Sequence, residues 1–329
     1  MKSFTITEIN QHLQGELLGC DTVTITGAEQ IEKAQAQQIT LIGSRKYLKL
    51  WETTQATAVI VSDKLNITPK ENKAIIKVSN PDLAMGKVLA LFAPDLPDFE
   101  NDISPNATIH KTAKIGSNCK IGAGCYIGKD VILADNVTLF PNVTILDNST
   151  VGTHTIIWSG TVIRERSIIG KHCILHNNVS IGADGFGYRP AENGQGLVKI
   201  QHIGNVILED YVEIGANSCV DRGKFSATKL GYGCKIDNLV QIGHNSVLGK
   251  FCIMAGSSGL AGSVTLGDGV IIGGSASIKD HTTIHSGAVV GGGSGVVADV
   301  AAGKHVLGYP AQDSREMLKQ WVALRRLVK

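Results

Sequence analysis

The sequence predicts a mainly β fold: a parallel β-helix of hexapeptide repeats, preceded by a small α/β domain and followed by a C-terminal helix. Three observations carry this. From Ile109 to Ile181 every sixth residue is Ile, Leu or Val, and the count resumes from Leu230 to Val296 with Met254 its one departure. The residue that follows is often small, as at Gly116, Gly122, Gly243 and Gly267. Residues 1–100 lack the period altogether. A helix needs an apolar period of 3.6 and a lone strand a period of 2. One short strand and one corner per six residues instead buries its aliphatic side chain only by stacking on neighbouring units. Three units make a triangular coil, so residues eighteen apart sit above one another at about the inter-strand spacing, ~4.8 Å.

The domain plan is 1–100, 101–310 and 311–329. In the first domain Glu8 to Leu13 reads as a short helix capped by Thr7, and Ala56 to Val61 as a buried strand. A second helix starts at Asn80 with Pro81 in its first turn and Leu83, Val88 and Leu91 on its inner side. Pro94, Pro97 and Pro105 punctuate the way into the first coil. The solenoid is broken at residues 183–202, which contain DGFGYRPAENGQG, and again at 221–229; loops expelled from a repeat array often carry binding function. After GYPA (Gly308 to Ala311), Ser314 caps a final helix, Arg315 to Leu327. Its Leu318, Trp321, Val322 and Leu324 suit packing on other subunits, and Arg315, Lys319, Arg325, Arg326 and Lys329 make a basic face.

A formal charge of +2 on 329 residues calls for neither nucleic acid nor a membrane surface. Seven scattered cysteines form no disulfide framework and no metal-ligand spacing. Cys234 and Cys252, eighteen apart, are expected to stack as small apolar fillers. The start, MKSFTITEIN, has no apolar signal region, and no run approaches a membrane span, so a cytoplasmic protein is expected.

Of ten histidines, His244 stands out in KIDNLVQIGHNSVLG. It lies two residues after the inward Ile242, so its side chain leaves the core, and Gly262 lies eighteen further along the same column. A histidine with a glycine N–H one coil away makes a base and an oxyanion donor around one carbonyl carbon, and Asp237, one hexad earlier, is expected to fix the imidazole tautomer. This suits acyl transfer, although a lone corner histidine is more often structural.

The hexads, the N-terminal domain, ADGFGY (183–188), KIQHIGNVILEDYVEIGANSCVDRG (199–223) and IDNLVQIGHN (236–245) together resemble the LpxD family, the UDP-3-O-(3-hydroxyacyl)glucosamine N-acyltransferases of lipid A biosynthesis. The hexads are shared by many acyltransferases, whereas the DGFGY and IDN-to-GHN segments are specific. The resemblance implies a left-handed helix and a homotrimer. It also implies transfer of a 3-hydroxyacyl chain from acyl carrier protein to the 2-amino group of a UDP-sugar, with neither metal nor cofactor. His244 becomes the general base, Asp237 its orienting group and the Gly262 amide the oxyanion donor. Asn238 and His281 become substrate contacts. The family's uridine pattern, close to F-L-x-N-x-K-Y, reads LIGSRKY here: Lys46 and Tyr47 match, while Leu41 replaces the aromatic and Ser44 the asparagine. The far end of the acyl groove is expected at Gly291 to Val297, whose small residues suit a long chain.

Two other enzyme readings share the solenoid: an acetyl-CoA-dependent sugar acetyltransferase, and a zinc hydratase of the γ-carbonic anhydrase type. The second would use pairs such as His281 with His285 or His172 with His176. A non-enzymatic solenoid predicts that His244→Ala leaves function intact.

Overall fold

Each hexad folds into a two-residue strand and a corner, and strands eighteen residues apart pair in parallel, as Lys120–Ile121 does with Thr138–Leu139. A computed structural model describes residues 2–99 and 102–328. Among these, three sheets form the solenoid. A first face of ten strands runs from Thr108–Ile109 to Gly295–Val296, and a second of nine runs from Lys114–Ile115 to Thr283–Ile284. A third face of eleven starts at Lys120–Ile121. The hexad aliphatics from Ile121 onward fill the prism, nearly all of them fully buried.

A second buried column lies two residues before the aliphatic one. Where it is polar, the side chain donates to the carbonyl fifteen residues on: Ser149 Oγ to Arg164 O (3.1 Å), Thr155 Oγ1 to Gly170 O (2.9 Å) and Thr161 Oγ1 to His176 O (2.8 Å). Cys234 and Cys252 do the same through Sγ, both at 3.1 Å. These thiols therefore pack and satisfy carbonyls inside the core. Corners turn through left-handed residues such as Asn118, Asn136, Asn142 and Asn178, with φ between 56° and 64°. Asparagine tolerates that region better than other residues carrying a Cβ.

Both interruptions leave the first face at the same corner. Ile168 pairs with Ile207, thirty-nine residues on, and Ile207 with Lys229, twenty-two on, so the stack closes over each insertion without losing register. The larger insertion carries a hairpin, Tyr188–Pro190 against Leu197–Lys199. At the far end, small residues make room for the closing strand. A Cβ at Gly291 would stand 2.6 Å from Leu307 Cδ1, and one at Gly295 would run into the Tyr309 ring.

The chain divides into two units, Met1–Asp98 and Phe99–Lys329. In the first, a five-stranded mixed sheet contains the buried strand Ala58–Ser62. Helix α1 is Ile6–Leu13 and is capped by Thr5 rather than Thr7. Thr5 and Glu8 close a reciprocal capping box, and the spacing T-x-x-E explains the choice. Helix α2, Pro81–Phe92, is capped by Asn80 and buries Ala84 and Val88, one turn apart, so Leu83 falls outside the buried stripe and is 62% exposed. Trp51 is core, its Nε1 donating to Thr68 O at 3.3 Å. In the second unit, helix α3, Ser314–Leu327, is capped by Asp313 rather than Ser314. Its Leu318, Trp321, Val322 and Leu324 are exposed in the single chain, and Lys329 lies outside the described residues, as do 100 and 101 at the expected domain boundary.

Candidate active site

His244 follows the first-face strand Gln241–Ile242, at the corner from which both insertions emerge. Its Nδ1 lies 3.1 Å from Asn245 Oδ1. That oxygen also accepts from the Lys224 amide at 2.8 Å, while Asn245 Nδ2 donates to Ser226 Oγ at 3.3 Å, so the amide orientation is fixed with oxygen toward the imidazole. Nδ1 must therefore carry the hydrogen, and Nε2 keeps its lone pair. The lone-pair edge packs on Gly262, where a Cβ would stand 2.6 Å from both Cε1 and Nε2. On the other side a Cβ at Gly185, in the DGFGY loop, would stand 2.6 Å from His244 Cβ. Two glycines thus clamp the ring, and a side chain at either position displaces it.

The amide of Gly262 meets no acceptor among the described residues. At related corners the equivalent amides of Ser117, Lys129 and Lys250 are taken by Asp135, Asp147 and Asp268, each eighteen residues on. The Gly262 carbonyl accepts from the His281 amide at 3.1 Å, which sets the His281 side chain at the same corner. His244, Gly262 and His281 line one cavity of about 640 Å³ with Phe186, Tyr188 and Asp221. A base lone pair, an unused amide and an open groove are what acyl transfer to an incoming nucleophile requires.

Beneath this groove lies a set of charges. Arg222, 2% exposed, donates from Nη1 to Glu165 Oε1 at 2.7 Å and from Nε to Gly182 O at 2.6 Å. This hydrogen bond holds the Glu165 carboxyl down at about 2. Arg164 reaches Asp184 at 3.1 Å, and Lys199 from the hairpin pairs with the same carboxylate and lowers its pKa. His202 is 5% exposed, with its ring centroid 5.0 Å from that of His244. Its Nδ1 donates to Ile200 O (3.0 Å), Nε2 has no partner among the described residues, and burial depresses its pKa.

Asp237 and Asn238 are not beside His244 within one chain. They follow the third-face strand Lys235–Ile236, at the corner that precedes the first face. Asp237 Oδ2 accepts from Gly256 N (2.9 Å), and Asn238 Oδ1 from Ala216 N (2.6 Å). Both line a separate cavity of about 520 Å³ with His176, Glu213 and Lys235. In the first unit, Leu41 and Tyr47 line a cavity of about 650 Å³, Ser44 opens the turn Arg45–Glu52, and Lys46 Nζ lies 5.5 Å from the Tyr47 ring centroid. Of the histidines weighed as zinc ligands, His172 stacks between His154 and Tyr211, and His176 Nε2 meets Glu213 at 3.0 Å.

The family model described as UDP-3-O-(3-hydroxymyristoyl) glucosamine N-acyltransferase, LpxD, matches residues 22–91, and that of the GMPPB C-terminal domain matches residues 103–224. A relative from Francisella tularensis subsp. tularensis, named UDP-3-O-acylglucosamine N-acyltransferase 1, is 49% identical over 98% of this chain and 94% of its own length. The chain belongs to the LpxD family. A further LpxD relative from Granulibacter bethesdensis, named UDP-3-O-acylglucosamine N-acyltransferase, is 48% identical over 94% of this chain and 89% of its own. A solved Arabidopsis UDP-N-acetylglucosamine acyltransferase superposes with TM-score 0.59 at 24% identity, over 66% of this chain and 76% of that one. That match carries the fold alone: the parallel β-helix expected from the hexads, with the left hand that the resemblance implied. Among the described residues no helix is long and apolar enough to cross a membrane.

Sequence reasoning did not foresee Asn245, Asp221, His202 or the Arg222 network in this LpxD family member. Asp221, His202 and Arg222 are marked in the sequence only by their position at the two breaks in the hexad count, and Asn245 not at all.

Proposed function

We propose that this chain transfers a 3-hydroxyacyl group from acyl carrier protein to the 2-amino group of UDP-3-O-acylglucosamine, in lipid A biosynthesis, at the groove around His244. The observation that carries the proposal is the Nε2 edge of His244 packed on Gly262, whose amide meets no acceptor among the described residues. As the amine attacks the thioester carbon, His244 Nε2 takes its proton, and the Gly262 N–H holds the oxygen as charge develops on it. The C–S bond then breaks and the imidazolium protonates the departing thiolate. A positioned base contributes roughly 10²–10⁴ in rate and one oxyanion donor about 10²–10³. Asn245 sets the tautomer, and His281 contacts the substrate or the carrier's pantetheine arm at the groove mouth.

Asp237 and Asn238 lie at a different corner from His244, so a site that uses all three needs two copies of the chain. A homotrimer, in which the corner carrying Asp237 faces the neighbour's His244, accounts for this. The uridine falls to Lys46 and Tyr47 of the first unit, with Leu41 and Ser44 in place of a second ring and an amide. A missing stacking partner weakens nucleotide binding by about 0.5–1.5 kcal/mol. The test is turnover of 3-hydroxyacyl carrier protein with UDP-3-O-acylglucosamine. Wild type turns over, and folded His244→Ala loses activity by at least about a hundredfold. A fully active His244→Ala overturns the reading.

A further inference from the structure

The corner that bears His244 holds the carboxylates of Glu165, Asp184, Asp221 and Asp280, and among the described residues cations pair with only the first two. Arg164 and Arg222 reach Glu165, while Arg164 and Lys199 reach Asp184, with Arg222 Nε 3.8 Å away. No cation pairs with Asp221 among the described residues. It ends the strand Cys219–Asp221, which pairs with Gln241–Ile242, so Asp221 stands one coil from Gly243, next to the base. Gly243 has no side chain to cover it, and Asp221 lines the groove with His244 and Gly262.

The groups facing it do not neutralise it. On its own side, Asp184 repels it from the loop, and Arg222, next to it in sequence, is spent on Glu165. From the next coil the Gln241 side chain and His244 face it and favour its charged form. Across the groove are Asp280 and His281, and from the hairpin Arg189 and Lys199, of which Lys199 is held by Asp184. His202 beneath is buried, and its pKa is depressed by that burial. Burial pushes the Asp221 carboxyl up to about 6. A half-buried carboxylate without a counter-ion, aimed into a groove, fits a cation that arrives from solution.

We propose that Asp221 is the receptor for the nucleophile's amino group in its ammonium form, a catalytic residue additional to His244. This rests on the amino-acyl-acceptor reading above. A sugar amine flanked by electronegative substituents resembles an α-amino group, with a pKa of about 7.7–8.0, so near neutrality it arrives protonated and without a lone pair. The Asp221 carboxylate holds the ammonium by a charge-assisted hydrogen bond and accepts its first proton, leaving carboxylic acid and neutral amine. The amine then attacks the thioester, His244 takes the second proton and passes it to the thiolate. The proton on Asp221 leaves to solvent. The net change is ammonium plus thioester to amide plus thiol plus one proton.

This arrangement fixes a pH signature. The productive complex holds one proton shared between carboxylate and amine, so wild-type kcat/KM for the amino sugar falls below about 6 and falls again above about 8, the amine value. Asp221→Asn cannot trade that proton and must select neutral amine, so its kcat/KM keeps rising through about 8, and at pH 7 it is lower by about tenfold. Asp221→Glu keeps the wild-type limbs. The experiment measures these profiles with 3-hydroxyacyl carrier protein and UDP-3-O-acylglucosamine. Calorimetric binding to wild type of the amino sugar against its 2-hydroxy counterpart reads the same charge without any substitution. The amine is preferred only between the two values. An Asp221→Asn profile of unchanged shape, or an amine preference that does not vary with pH, overturns the proposal while leaving the acyltransferase reading standing. A wild type inactive on this substrate pair overturns both.

Discussion

At the scale of single residues, the proposed base His244 depends on a neighbour that it does not share a column with. Asn245 presents Oδ1 to His244 Nδ1 because its amide is pinned by Lys224 N and Ser226 Oγ, both contributed by the smaller insertion. Asn245→Ala removes the acceptor and frees the tautomer, so kcat is expected to fall about ten- to a hundredfold with KM for the amino sugar little changed. Asn245→Asp keeps an acceptor for Nδ1, so its kcat should fall less than that of Asn245→Ala. Steady-state kinetics on the two folded variants check this, and unchanged kcat in Asn245→Ala would assign the amide to the loop alone. The pair His244 and Gly262 was readable in the sequence because eighteen residues make one coil. One hexad is one face of the prism, so Asp237, seven residues earlier, belongs to the preceding corner, and its expected role beside His244 requires a neighbouring copy. Asn245 was not readable, since its role needs the insertion folded against it.

At the scale of elements, the corner under the groove is held by ion pairs that the hexad pattern does not announce. Glu165, Asp184 and Arg222 come from three different passes of the chain, and they meet only because the two insertions leave the first face at one corner. Glu165 titrates at about 2 in the folded chain against an ordinary value of 4.5. A depressed carboxyl stabilises the fold above its unfolded pKa, and the contribution is lost as pH falls from there through the folded value. Between pH 7 and about pH 5 the melting temperature of wild type should therefore exceed that of Glu165→Gln. From about 4.5 down towards 2 the two should converge. Thermal melts across that range check it, and a gap that does not vary with pH would mean that Arg222 and Glu165 are not paired in solution. Elsewhere the elements follow local chemistry that the sequence does carry. The box of Thr5 and Glu8 starts α1, and Asn80 with Pro81 starts α2. Thr5, and not the expected Thr7, caps α1 because it is the one with a glutamate three residues on.

At the scale of the whole molecule, a prism whose coils touch only their neighbours has three equivalent faces. Chemistry that needs residues from two corners must bend the chain or borrow a second copy. Parallel pairing continues across both insertions, with eighteen residues per coil before and after them and thirty-nine and twenty-two across them, so Asp237 and His244 stay at separate corners. This separation, more than any surface property, is the argument for assembly, and it gives a decisive mixture experiment. In the proposed trimer, His244→Ala and Asp237→Ala are each expected to be inactive. When the two are denatured together and refolded in equal amounts, sites form between neighbours in which one copy supplies an intact His244 and the other an intact Asp237. Random assembly around a threefold axis makes about one quarter of the sites complete, so about a quarter of wild-type activity should return. If each site were built within one chain, every chain in the mixture would carry a defect and no activity would return at any ratio. Sedimentation of the same mixture reads the oligomer directly, which separates chains that fail to assemble from trimers that assemble with their sites still broken.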